Sequence, residues 1–337
     1  MTISLIVAMI CVALALGFDF VNGFHDTANA VATVIYSKTL KPRTAILMSA
    51  VFNFLGALTV GTSVALFITG VVPLSLCTPT LLLSVLTAGL IWNLITWYVG
   101  LPISSSHCLI GSLVGAGIAA AGISGLNLAA FYKAIAALLV SPALGFIIAL
   151  ILAFVINYLV KRLTARQVDS TRALQWMQIA SSASLSFSHG GNDGQKIMGI
   201  ITLILATQLP DYGYTVSFVP FWVICAAALA IAAGTATGGW RIIKTVGERL
   251  SRKEITTTHG CAAEMTTALV VFGASHVGVP VSTTHVLTSA VLGGTCGLHG
   301  KSELHHDTLR NVLMAWILTL PVTAVLAGAI YLLASSF

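Results

Sequence analysis

Two aspartates stand in apolar surroundings where a charge is costly. Asp26 and Asp193 each lie deep in a long hydrophobic stretch, close to Gly23 and to Gly190 and Gly191. A carboxylate in such a place must meet a cation, a proton or water. Glycine tolerates relaxed helix geometry, so these stretches are expected to loosen and expose backbone carbonyls. Carbonyls, carboxylates and amide oxygens are hard ligands, suited to sodium or to a relayed proton. Asn22, Asn29 and Asn192 add further oxygens. The alternative is that the acids cap broken helices. The recurrence of the pattern at two distant positions argues against that.

A second pattern offers donors rather than acceptors. Pro102-Ile-Ser-Ser-Ser-His107 and Pro280-Val-Ser-Thr-Thr-His285 each place three hydroxyls just after a proline. Proline is tolerated in a first helical turn. Hydroxyls beside unpaired N–H groups there can hold an oxyanion without fixed positive charge. Ser104, Ser105, Ser106, Ser282, Thr283 and Thr284 are the candidates. Small hydroxyls also help membrane helices pack, so a single triplet would mean little. His107 and His285 close the two triplets, as proton relays, phosphate contacts or packing residues. His25 and His189 lie in the aspartate motifs at non-equivalent positions, which weakens any paired role. Glu264 is buried in a further apolar segment, either as a coupling-ion or proton group or as a helix-end acid reaching water. Lys196, three residues after Asp193, is one helical turn away and suited either to neutralise it or to face an anion.

Composition says what must carry these residues. Of 337 residues 57% are hydrophobic, only 8% are charged, and the mean hydropathy is +0.97. A soluble domain carries roughly 25% charged residues. Apolar runs of about 20 residues recur, each long enough to cross a bilayer core of roughly 30 Å. They are continuous rather than alternating, which selects helices over a barrel. The chain therefore reads as an all-α integral membrane protein of about ten transmembrane or re-entrant segments. The formal charge of +6 comes from short basic loops, with no basic tract for nucleic acid. Six scattered cysteines read as buried hydrophobes.

Placing 37–43, 161–172, 241–254 and 299–310 in the cytoplasm puts 14 of the 16 basic residues there. Both termini then fall outside. The aspartate motifs are 167 residues apart and the Ser/Thr motifs 178, in the same order. Each half has five segments. Five is odd, so the second half enters the membrane inverted, as in secondary transporters whose site lies at the repeat interface. We read 1–160 as the first inverted repeat, 161–172 as a cytoplasmic linker and 173–337 as the second repeat.

With four motifs in order, the chain resembles the inorganic phosphate transporter (PiT) family. The motif copies are Gly23-Phe-His-Asp-Thr-Ala-Asn-Ala30, Gly190-Gly-Asn-Asp-Gly-Gln-Lys-Ile197 and the stretches 101–107 and 279–285. The resemblance implies import of inorganic phosphate across the bacterial cytoplasmic membrane by proton- or sodium-coupled symport, without a cofactor, in a lipid-embedded homodimer. It implies Asp26, Asn29, Asn192 and Asp193 as ion ligands, with sodium on the two aspartates where sodium is used. The triplets would bind the oxyanion. His25 replaces an asparagine of the signature, and Gln195-Lys196-Ile197 replaces Ala-Asn-Ala. The lysine is expected to occupy space a cation would use. Three other readings are a sulfate permease of the same fold, a channel, and a membrane hydrolase using Ser106 and His107. The hydrolase suffers from geometry, since adjacent helical residues point about 100° apart.

Overall fold

A computed structural model describes residues 3–167 and 169–336. The chain ends and Val168, within the expected linker, lie outside the described residues. Twelve α-helices follow in order: α1 (Ile3–Tyr36), α2 (Pro42–Thr59), α3 (Ser63–Thr69), α4 (Pro79–Val99), α5 (Ser105–Ala121), α6 (Leu128–Ala165), α7 (Thr171–Gln208), α8 (Phe221–Thr237), α9 (Trp240–Glu248), α10 (Thr257–Val277), α11 (Thr283–His299) and α12 (His306–Ala334). Among the described residues there is no β-strand, only an isolated bridge between Ser251 and Leu304.

The order of helix lengths repeats. α1 and α7 have 34 and 38 residues, α4 and α10 both have 21, and α5 and α11 both have 17. Between them lie two bent pairs, α2/α3 at 70° and α8/α9 at 68°. The apolar run covered by α2 and α3 is therefore broken rather than one straight segment. The expected basic loop at 241–254 begins as helix α9, which buries Ile242, Ile243 and Val246. The halves interlock, with α5 on α12 and α11 on α6.

Among the described residues, five helices are long and apolar enough to cross a membrane, or up to seven if each bent pair is one span, fewer than the ten segments expected. α7 shows why composition undercounts. It is buried almost continuously from Ser181 to Leu205 and so needs no apolar exterior. The lipid-facing role falls to helices such as α6, which exposes Leu139, Ile147, Ile151 and Phe154.

Two apolar clusters flank a polar layer. One holds Ala8 to Phe18 of α1 with Ile197 to Leu205 of α7; the other holds Ala28 to Val34 of α1 with Leu185 of α7. The two helices are thus antiparallel, and their aspartate motifs share the layer between the clusters. This is the architecture of two inverted repeats.

Candidate functional site

The glycines of the aspartate motifs work differently from expectation. α7 runs unbroken through Gly190, Gly191 and Asp193, and α1 through Gly23 and Asp26. No carbonyl is freed by unwinding. Instead the glycines let backbones touch. A Cβ on Gly23 would sit 2.2 Å from the Ile231 carbonyl oxygen of α8, and one on Gly190 would sit 2.0 Å from the Asn53 carbonyl oxygen of α2. The close approach of α8 to α1 and of α2 to α7 seats each aspartate within the layer.

The triplets are delivered by the short helices. α4 and α10 end at Gly100 and Gly278, whose φ angles of 77° and 71° favour glycine. The prolines then lie in extended chain before the helix rather than in its first turn. Ser104 and Ser282 are the N-caps of α5 and α11, accepting from the His107 and His285 N–H groups. Of the remaining hydroxyls, Ser105, Thr283 and Thr284 turn to the acids. Ser105 Oγ donates toward Asp26 Oδ2 at 3.4 Å and Asp193 Oδ2 at 3.1 Å. Thr283 Oγ1 donates to Asp193 Oδ1 at 3.3 Å, and Thr284 Oγ1 to Asp26 Oδ1 at 3.2 Å. Both aspartates are 2% exposed or less.

The cross-connections respect the repeat. Asn22 and His189 occupy matching positions, four residues before each aspartate. Asn22 Nδ2 donates to Asp193 Oδ2 at 3.4 Å, and His189 Nε2 lies 3.8 Å from Asp26 Oδ2. Asn29 and Lys196 also match, and each reaches the third hydroxyl of the other half. Asn29 Nδ2 donates to Thr284 at 2.9 Å, and Lys196 Nζ to Ser106 at 2.5 Å. Lys196 Nζ is also 2.7 Å from Asp193 Oδ2. Both roles foreseen for the lysine, on the acid and on the oxyanion hydroxyls, are thus open to one ammonium.

His25 and His189 do share a target. His25 Nδ1 lies 2.8 Å from Asp26 Oδ1, and His189 Nε2 is 3.8 Å from both carboxylates. His189 Nδ1 faces the Asn53 side-chain oxygen Oδ1 at 2.7 Å, which places a proton on Nδ1 and makes Nε2 an acceptor in the neutral ring. Three acceptors then face one another, with Asp26, His189 and Asp193 offering ligand atoms within 4.8 Å. Such an arrangement is repulsive until a cation or proton enters it. The donor set fits a small cation, and Lys196 competes with it on the Asp193 side.

Residues 22–327 match the profile of PHO4, the phosphate transporter family. The chain belongs to the phosphate transporter family. It is 43% identical over 334 residues to a probable low-affinity inorganic phosphate transporter of Bacillus subtilis, covering 98% of both chains. It is 39% identical over 323 residues to one from Rhizobium meliloti, covering 95% of this chain and 94% of that one. It also resembles a low-affinity inorganic phosphate transporter of Escherichia coli, at 30% identity over 481 residues, with 97% of this chain and 96% of that one covered. A solved structure, the sodium-dependent phosphate transporter, superposes with a TM-score of 0.85 at 25% identity, covering 98% of this chain and 99% of that one. The chain is a multi-pass membrane protein of a transporter family and not an enzyme.

The serine–histidine pair that a hydrolase would use does not form. Ser106 Oγ donates to the Val281 carbonyl oxygen at 2.6 Å, not to His107. The His107 and His285 rings pack on each other at 4.4 Å, and His285 stacks on Trp316 at 3.9 Å.

Two expected ligands point elsewhere. Asn192 Nδ2 donates to Ser275 at 2.9 Å, and its oxygen faces the Val281 N–H at 3.5 Å. Glu264 forms a separate cluster. Its carboxylate accepts from Thr33 and Ser181 at 2.5 Å each and from Gln178 at 3.4 Å. It is fully buried, so it is not a helix-end acid reaching water.

One acid escaped the sequence reading. Asp19 is fully buried in α1, and neither of its oxygens has a hydrogen-bond partner. Its signal was present, since residues seven apart share a helix face and Asp26 follows by seven.

Proposed function

We propose that this protein is a cation-coupled symporter that imports inorganic phosphate across the bacterial cytoplasmic membrane by alternating access, working as a homodimer between lipid-facing surfaces. The substrate is supported by its relatives, which are named as inorganic phosphate transporters. One observation carries the coupling: Ser105 Oγ stands within hydrogen-bond reach of Asp26 and Asp193 together, which come from opposite halves of the chain.

The coupling logic follows from donor counting. A hydroxyl has one proton to donate. Ser105, Thr283 and Thr284 now give theirs to the two carboxylates. A cation, sodium or a proton, entering between Asp26, His189 and Asp193 takes over that neutralisation. The hydroxyls are then released to an incoming oxyanion at the N-termini of α5 and α11, whose dipoles favour negative charge. Lys196 adds a fixed positive charge beside Ser106, whose own proton goes to the Val281 carbonyl oxygen. Asn22, Asn29 and Asn192 orient the surrounding groups. Glu264 serves the cation path from its own cluster. Without the cation, the anion would meet bare carboxylates. Neither ligand therefore binds well alone, which is the condition for symport. No cofactor enters this scheme.

We further read 1–160 and 173–337 as the repeats, with 161–172 cytoplasmic and both chain ends outside, so that one unit can rock against the other about the polar layer. Phosphate carries a proton near neutral pH and can donate to His189 Nε2; sulfate cannot. Excess sulfate should therefore compete poorly.

The deciding experiment is labelled phosphate uptake into proteoliposomes under imposed sodium or proton gradients. Accumulation that collapses with one of the gradients is the expected result. Equilibration without accumulation would make the protein a channel, and equal competition by sulfate would make it a general oxyanion permease.

A further inference from the structure

The seam between α1 and α4 holds a second set of unsatisfied groups. The two helices run parallel in a fixed register 71 residues apart. Phe18 covers Gly89, where a Cβ would lie 2.5 Å from the ring. The Phe24 and Trp97 rings meet at 5.2 Å, and His25 Nε2 lies 3.4 Å from Thr96 Oγ1. Asn93 is therefore level with Asn22. It shares a face of α4 with Gly89 and Thr96, four residues before and three after it. Asp19 stands one turn before Asn22 on α1.

Asp19 and Asn93 are both 0% exposed. Neither oxygen of Asp19, neither polar atom of Asn93, nor Asn22 Oδ1 has a hydrogen-bond partner. Buried polar groups are nearly always paired, and an unpaired buried carboxylate is the costliest exception. Five such atoms belong to Asp19, Asn22 and Asn93 on these two helices, and all but the Asn93 Nδ2 are oxygens. Asp193 and Lys196 act electrostatically on Asp19 from α7. The lysine ammonium is already committed to Asp193 at 2.7 Å and Ser106 at 2.5 Å. Asp19 is left without a counter-charge.

We propose that Asp19, Asn22 and Asn93 form a sodium site on the α1–α4 seam, separate from the space between Asp26, His189 and Asp193. Carboxylate and amide oxygens are the ligand class that hard cations take. Lys196 holds the Asp193 side of the central space, and the seam gives this chain a second place for a cation. Asn22 links the two sites, since its Nδ2 donates to Asp193 while its Oδ1 has no hydrogen-bond partner. The inference rests on the transport reading for its purpose but not for its chemistry.

The test counts radiolabelled sodium bound to the purified, monodisperse full-length protein. Asp19→Asn should bind one sodium fewer per chain than the parent. Asn93→Ala should keep the number and weaken the affinity roughly tenfold, as loss of a neutral supporting group does. It decides the question if the Asp19 variant does not fold. Equal sodium binding in the parent and both variants overturns the site. So does the absence of sodium binding in all three, the result expected if Asp19 instead carries a proton. Phosphate counterflow by the parent in vesicles tests the transport reading separately. A parent that exchanges phosphate yet fails the sodium count overturns only the seam site.

Discussion

Lys196 holds its ammonium 2.7 Å from Asp193, one helical turn away on the same helix. The matching position in the other half is Asn29, a neutral amide that bonds Thr284 as Lys196 bonds Ser106. Within otherwise matched cross-contacts, one half thus carries a fixed charge that the other lacks. Removing the partner of a buried ion strands it, at a cost of about 3–5 kcal/mol. Asp193→Asn should therefore lower the thermal unfolding temperature in detergent markedly. Asp193→Asn with Lys196→Asn should recover most of the loss. Asp26→Asn strands no lysine, so it should abolish phosphate accumulation while the protein remains folded in the membrane. Unchanged uptake in that variant would count decisively against an ion role for Asp26.

Lys196→Asn alone makes the second half resemble the first. It vacates space beside Asp193 that a cation can enter. Initial rates of phosphate uptake, measured against sodium at fixed pH, should become more steeply sodium-dependent. A variant whose ion dependence matched the parent would sink the idea that the ammonium stands in for a cation.

Ser105 and Thr283 are placed to exchange carboxylate for oxyanion. A hydrogen bond to a charged group contributes about 1.5–3 kcal/mol, so losing one should raise the apparent KM for phosphate roughly 10- to 100-fold. Ser105→Ala should have the larger effect, because its hydroxyl reaches both acids. A steady-state uptake series for the two alanine variants checks this. Equal KM values in parent and variants would remove the triplets from the anion site.

The glycines can be sorted by what a methyl would meet. Gly190→Ala would press a Cβ to 2.0 Å from the Asn53 backbone oxygen, and backbone cannot step aside cheaply. We expect it to fail to accumulate as folded protein. Gly17→Ala, on the same kind of helix, meets nothing within 4 Å. It should be neutral or gain up to about 1 kcal/mol from helix propensity. Fluorescence-detected size-exclusion profiles of the two variants separate the outcomes.

Much of this site was legible beforehand because its physics is local. An aspartate in an apolar run is anomalous whatever surrounds it, and two copies 167 residues apart announce a repeat. The Ser/Thr triplets behind Gly-x-Pro declare a helix start, since proline and small hydroxyls favour that place. Spacing and loop charge together called for two inverted halves. The glycines were misread because glycine permits both loosening and close packing; only the neighbour at 2.0–2.2 Å shows which is used. A composition measure returns fewer segments than the ten expected because α7 is hidden from lipid, so hydropathy and depth part company there.

Composition and motif order determined by themselves that this chain is helical, lies in the membrane, repeats itself in opposite senses and buries acids beside hydroxyls. Those follow from the cost of exposing peptide groups and charge to hydrocarbon, a cost every residue carries with it. Only the tertiary structure decided which groups meet. It joined His189 to both carboxylates, set Glu264 apart with Thr33 and Ser181, turned Asn192 away and left Asp19 without a partner. Those pairings depend on helix rotation and interhelical distance, which are set by contacts between residues far apart in the chain.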